Sequence, residues 1–127
     1  MADWVLDASA VLALMRSEPG ADRVIAALPT SVIASVNAAE VVTRLIQEGF
    51  DPAPATLAFR RLGCPVAPID EALGLRAGAL ASLTAGAGLS LGDRCCLALA
   101  EREQVPALTA DRQWARIALP MSVALIR

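Results

Sequence analysis

Histidine, lysine and tyrosine are missing altogether from this 127-residue chain, and phenylalanine and tryptophan occur only twice each. Without histidine there is no Ser-His-Asp triad, no imidazole general base and no His-ligated zinc. Cysteine is scarce as well. Cys64 stands alone and Cys95 and Cys96 are adjacent, so they make no disulfide framework. Three thiolates also fall short of the roughly four that a sulfur-only zinc site uses, and they read as reduced core residues of a cytoplasmic protein. No stretch approaches the ~18 consecutive apolar residues of a spanning helix. The early run Ala8 to Met15 is interrupted by Ser9, follows Asp3 and Asp7, and has no positive flank, which argues against a secretory signal. A net charge of −2, with arginine the sole cation, gives no global basic field. What remains for chemistry is carboxylates, arginines, hydroxyls and any metal ion they recruit.

What is present in abundance is apolar: 56% of residues, many of them alanine and leucine. The length suits one domain spanning residues 1–127. Short apolar runs alternate with helical spacing. Trp4 to Leu6 reads as a buried strand followed by a helix to about Arg16, and Ala21 to Leu28 as a second helix. Ser31 to Ala34 is the next strand, then a helix from Val36 to Glu48 stopped by Gly49. Asp51 to Pro54 opens a helix ending near Gly63, and Val66 to Ile69 is a short strand. Asp70 caps a helix to roughly Leu83, and a glycine-rich loop occupies 85–88. Ser90 and Asp93 have capping-box spacing at the head of a helix to about Gln104. Ala107 to Thr109 and Val123 to Ile126 are the last strands. This alternation predicts an α/β sandwich with a mainly parallel sheet of four to five strands.

The acidic residues acquire meaning on that frame. Asp7 follows the first strand and Asp111 lies two residues after Thr109, both at carboxyl ends of strands, where open parallel sheets bind ligands. Glu40, early in the helix after the second strand, and Asp93, at a helix start, fall at the same end. Four carboxylates gathered there repel one another unless a cation compensates. An oxygen-only set suits Mg²⁺ or Mn²⁺ better than zinc. Such an ion polarises a phosphoryl group and acidifies an attacking water, which is phosphodiester hydrolysis without a side-chain nucleophile. Each acid also has a bland reading. Asp93 and Asp111 can be helix caps, and Glu40 can pair with Arg44 four residues on. Asp7 is harder to dismiss, because a carboxylate ending a buried apolar strand is costly unless used.

Val5-Leu6-Asp7-Ala8-Ser9-Ala10, Glu40-Val41-Val42, Leu89-Ser90-Leu91-Gly92-Asp93 and Leu108-Thr109-Ala110-Asp111-Arg112 together resemble, in order and separation, the four acidic motifs of the PIN domain. More narrowly they resemble the VapC-type toxins of bacterial toxin–antitoxin pairs. The resemblance runs from residue 3 to about 126. It implies a PIN-like three-layer α/β/α sandwich and an endoribonuclease using Mg²⁺ or Mn²⁺ held by Asp7, Glu40, Asp93 and Asp111. It further implies inhibition by a cognate antitoxin, and a homodimer. Gly92 departs from the alanine of many relatives and is expected to loosen that helix start slightly. Ser9 and Thr109 would orient the aspartates or a water, or equally be ordinary turn residues.

Arg94, Arg112 and Arg116 flank the two late acids, and for each a grip on RNA phosphates and a local ion pair are both open. Arg60-Arg61 reads as a solvated face. With so few aromatics a base-stacking platform is not expected; Trp4 reads as core and Trp114 as the single candidate base contact. The apolar helices from Val11 to Leu28 and Val41 to Ile46 either leave a groove for an antitoxin helix or a second copy, or close into a packed monomer. A catalytically inactive module of the same fold, binding RNA or protein, is the competing function; four repelling carboxylates argue against it. A phosphoaspartyl phosphatase or receiver would need another acid beside Asp7 and a lysine, and the chain has neither.

Overall fold

Val5 and Leu6 are both fully buried although their side chains leave the strand in opposite directions. Val5 belongs to one apolar cluster with Leu73, Leu97 and Trp114, and Leu6 to another with Val11, Val41 and Phe59. Ile33 and Ala34, and Leu108 and Ala107, divide between the same two clusters. These segments are therefore strands covered on both faces, as their unbroken apolar character requires. Burying each such leucine or isoleucine contributes roughly 1.5–3 kcal/mol.

The computed structural model describes residues Met1–Arg127. Its strands are β1 (Trp4–Leu6), β2 (Ser31–Ala34), β3 (Val66–Ala67), β4 (Ala107–Thr109) and β5 (Val123–Leu125). They form one all-parallel sheet in the order β3-β2-β1-β4-β5. One face carries α1 (Ala8–Met15), α2 (Ala21–Ala27), α3 (Ser35–Gln47) and α4 (Pro52–Arg60). The other carries α5 (Glu71–Ala79) and α7 (Leu91–Glu103), with the short α6 (Ala81–Thr84) between them in sequence. The α/β sandwich anticipated above is what forms. The chain runs outward from β1 through β2 to β3, then returns to the other side of β1 for β4 and β5. This reversal opens a crevice at the carboxyl ends of β1 and β4.

Local signals account for most boundaries. Pro52 begins α4, where its missing N–H costs nothing. Asp70 accepts from the Leu73 amide at 2.8 Å to start α5. Gly49 follows α3 at φ 108°, a left-handed exit that suits glycine. The helix expected from Asp70 to Leu83 is instead two. Leu80 flattens to ψ −14° between α5 and α6, and that bend carries Leu80 and Thr84 into the core. Residues Ala85–Ala87, expected as loop, wind into a 3₁₀ turn, as do Arg112–Arg116.

Two aromatic assignments need correcting. Trp4 is half-buried rather than core, with the Arg23 guanidinium 5.9 Å from its ring centroid. Trp114 is 1% exposed and sits in the apolar cluster beneath α5 and α7, so it is no base contact. The 3₁₀ turn folds the indole under the sheet. The three cysteines are free and buried, and burial pushes the Cys64 thiol up to about 11. No helix is long and apolar enough to cross a membrane.

Candidate active site

β1 stops at Leu6, but its ladder continues one residue further: the Asp7 amide donates to the Leu108 carbonyl at 2.9 Å. That bond seats Asp7 between β1 and β4 at the head of the crevice. Asp7 occupies the N-cap position of α1, yet its side chain caps nothing. Its Oδ2 accepts from Ser9 Oγ at 2.5 Å and from Thr109 Oγ1 at 2.9 Å. Each hydroxyl in turn accepts a backbone amide, Ser9 from Ala110 and Thr109 from Asp111, both at 3.0 Å. The hydroxyls therefore have their protons directed at the aspartate and a lone pair already engaged. Orienting Asp7, not a water, is the part of the expectation that this geometry supports. Burial raises the Asp7 pKa to about 6; the Ser9 bond opposes the rise, the Asp93 charge adds to it, and Thr109 and Glu40 act likewise in opposite senses.

Glu40 projects from the second turn of α3, where Oε1 accepts from Asn37 Nδ2 at 2.8 Å. Its pKa is raised, first by burial and then by the Asp93 charge, against the Asn37 bond. It forms no ion pair with Arg44. Asp93 does serve as a cap: Ser90 accepts from the Asp93 amide at 3.2 Å, and Asp93 Oδ2 accepts from the Ser90 amide at 2.9 Å. Burial still raises its pKa, opposed by the bonds to Ser90 and reinforced by the charge of Asp111. Asp111 caps the 3₁₀ turn through Oδ1, which accepts from the Gln113 amide at 2.9 Å.

A common pattern emerges. In each of the four carboxylates one oxygen is held by a donor of the chain, and the other receives no protein hydrogen bond. All four line a single cavity of about 530 Å³. One face of α3 supplies much of its wall, including Thr43, Arg44 and Gln47. The capping readings of Asp93 and Asp111 thus hold without excluding a second use, since a cap consumes only one oxygen. The four form no ready-made cage, as no three close on a common point. The donor chemistry nevertheless fits a hard divalent ion: oxygen only, buried at Asp7 and half-buried at the other three, mutually repelling, each with an oxygen to offer. Mg²⁺ in particular is held by one or two carboxylates and keeps several waters.

The arginines sort differently from their order in the chain. Arg94 donates from Nε to the Ala77 carbonyl at 3.1 Å and from an Nη to that of Leu89 at 3.5 Å, tying α5 to the loop before α7. Arg112 is exposed, with Nε donating to the Arg127 carbonyl at 3.4 Å. Arg116 lines a separate hollow with Leu83 and Gln113. Arg44, which sequence reading paired with Glu40, is instead an exposed cation on the cavity wall and in no salt bridge.

Two residues escaped sequence reasoning. Asn37 is fully buried and bridges Glu40 to the Gly92 carbonyl, donating to the latter at 3.0 Å. A polar residue three positions before Glu40 on a helix was its one available signal. At Gly92 the sequence suggests only a loosened helix start. Its role is spatial: a Cβ there would stand 2.5 Å from Glu40 Oε1.

The family model described as PIN domain matches residues 4–120. A search of curated protein sequences found no match. Among solved structures, the chain is similar to a toxin–antitoxin complex from Klebsiella pneumoniae, at TM-score 0.74 and 18% identity, covering 97% of each chain. It is also similar to DNA-bound VapBC from Salmonella typhimurium, at TM-score 0.78 and 14% identity over 100% of both chains. VapBC-1 from nontypeable Haemophilus influenzae gives 0.69 and 18%, covering 97% of each. At these identities the likeness is one of fold.

Proposed function

The chain belongs to the PIN-domain family, and from that premise we propose that it is a Mg²⁺- or Mn²⁺-dependent endoribonuclease, the VapC-type toxin of a toxin–antitoxin pair. One observation carries the reading: four carboxylates from four segments line one cavity, each with one oxygen anchored and one free of protein donors. Asp7, Glu40, Asp93 and Asp111 would hold the ion through those free oxygens. When bound, it offsets their mutual repulsion, neutralises charge developing on a phosphodiester and makes an attacking water more acidic.

The chain's own groups do the rest. Ser9 and Thr109 keep their protons on Asp7 Oδ2, so Oδ1 is the atom that faces the cavity chemistry. Asp93 and Asp111 are held by their caps and need no reordering. Arg44, on the α3 wall one turn from Glu40, meets a phosphate of the strand being cut. Arg112 and Arg116, exposed beyond the cavity, take phosphates further along. Arg94 supports the site through its backbone contacts. No aromatic side chain lines the cavity, so base stacking does not choose the substrate there.

The partners follow the same reading. One of the similar structures is described as a toxin–antitoxin complex and the other two as VapBC. Here Ile46, Phe50 and Leu57 leave exposed apolar surface at the end of α3, just beyond it and on α4, suited to the apolar face of an antitoxin helix. Leu75 and Leu91 do so on the opposite layer, where a second copy would cover them. The protein acts in the cytoplasm, where its RNA substrates are.

The deciding experiment is cleavage of a panel of structured RNAs by purified protein with Mg²⁺, Mn²⁺ or EDTA, beside Asp7→Asn. Metal-dependent cutting that disappears in the variant is the expected result. Retained Mn²⁺ binding with no cutting of any RNA would favour the inactive binding module.

A further inference from the structure

The Glu40 carboxylate rests directly on the backbone of another helix. A Cβ built at Gly92 would lie 2.5, 2.7 and 2.8 Å from its Oε1, Cδ and Oε2. The carboxylate thus occupies the space that any other residue at position 92 would fill. Asn37 holds it there. From the first turn of α3, both Nδ2 bonds are spent, one on Glu40 Oε1 at 2.8 Å and one on the Gly92 carbonyl at 3.0 Å.

Shape alone does not explain an asparagine at this position. Asn37 is 0% exposed, and its Oδ1 is buried without any hydrogen-bond partner, which costs free energy. A leucine would fill nearly the same space without that cost. The amide is accounted for by what it grips: a carboxylate on α3 and a carbonyl on α7 at once. Gly92 immediately precedes Asp93, so this grip also sets α3 against α7 beside a second acid of the cavity. With Oε1 pinned, Oε2 is the oxygen left without a protein donor.

We infer that Asn37 and Gly92 are a matched pair of positioning residues, which lock the Glu40 carboxylate and the α3–α7 register so that Glu40 and Asp93 serve one divalent ion. The inference rests on the metal-dependent reading proposed above. Neither residue touches substrate. Partners of this kind, acting through a ligand rather than on the ion, typically change metal affinity about 10–100-fold when removed.

The test is Mn²⁺ titration of RNA-free protein followed by electron paramagnetic resonance, for wild type, Asn37→Leu, Gly92→Ala, Glu40→Gln and Asn37→Leu/Glu40→Gln. Melting curves without metal accompany it. Both single variants at the pair should bind Mn²⁺ about 10–100-fold more weakly while still folded. Asn37→Leu should add no further loss once Glu40 is glutamine. Gly92→Ala keeps the test decisive should Asn37→Leu fail to fold, because the three atoms nearest its Cβ all belong to the Glu40 side chain, which can turn away. Wild-type Mn²⁺ affinity in folded Asn37→Leu and Gly92→Ala would overturn the inference. If wild type itself binds no Mn²⁺, the metal reading falls, and the Glu40 carboxyl ¹³C resonance of metal-free protein decides separately. Displacement in both variants upholds the clamp, and an unmoved resonance removes it.

Discussion

Thr109 donates its hydroxyl proton to Oδ2 of Asp7 at 2.9 Å, across 102 positions of sequence, while accepting the Asp111 amide at 3.0 Å. One hydroxyl thereby aligns two of the four acids. Valine at 109 keeps the shape and strips both bonds. We predict that Thr109→Val loses about 1–3 kcal/mol of stability and binds Mn²⁺ about 10–100-fold more weakly, whereas Thr109→Ser stays near wild type. Urea unfolding and Mn²⁺ titration check both halves; an unchanged affinity would show that the hydroxyl serves the turn alone.

Asp7 makes stability depend on pH in a stated direction. Its folded pKa, about 6, lies above the ordinary 3.8. The fold therefore favours the protonated form. That contribution is complete below about pH 4 and is lost as pH rises through about 6. The difference corresponds to roughly 3 kcal/mol at neutral pH in metal-free protein. Asp7→Asn, which carries no charge to bury, should melt higher than metal-free wild type at pH 7.5, with the gap closing towards pH 4. Saturating Mn²⁺ should raise the wild type and leave the variant unmoved. A variant that melts lower than wild type throughout would contradict this account.

Arg44 and Arg94 should part company in an RNA-binding assay. Measured in the Asp7→Asn background, so that substrate stays intact, Arg44→Gln should weaken RNA binding and flatten its salt dependence by about one phosphate contact. Arg94→Gln strips the Ala77 and Leu89 carbonyls of their donor. It should instead lower stability by about 1–3 kcal/mol with the salt slope unaltered. Equal slopes for wild type and Arg44→Gln would remove Arg44 from the RNA path.

Trp114 can be watched directly once Trp4 is replaced by phenylalanine. Its indole is 1% exposed, in the cluster with Leu73 and Leu97. Its fluorescence should be blue-shifted, poorly quenched by acrylamide and unaffected by saturating RNA. Quenching by RNA would restore the base contact that the sequence suggested.

Much of this was legible in the chain because strands buried on both faces announce themselves. Trp4 to Leu6, Ser31 to Ala34 and Ala107 to Thr109 are short, largely apolar runs, each preceded by a polar residue or proline. An acid just beyond such a run marks the sheet edge where ligands bind, and Asp7 and Asp111 were located that way. What stayed hidden depends on contacts between distant segments. Arg44 has the helical spacing of an ion pair with Glu40, but Asn37 holds the glutamate against Gly92, 55 positions from Asn37. Trp114 sits among arginines in sequence, and only the 3₁₀ turn sends it inward. In the sequence, capping and site chemistry look like rivals at Asp93 and Asp111. A carboxylate has two oxygens, and the structure shows one engaged by the cap in each.

The order of strands also dates the assembly of the site during synthesis. β1 is the central strand, yet its neighbour β4 is made about a hundred residues later. Until β4 emerges, one edge of β1 has no partner and Asp7 lacks both Thr109 and its bond to the Leu108 carbonyl. A nascent chain halted before Ala107 carries Asp7, Glu40 and Asp93 but lacks Asp111 and the strand that seats Asp7. The carboxylate crevice is thereby withheld until β4 has been made, however early Asp7 itself was synthesised.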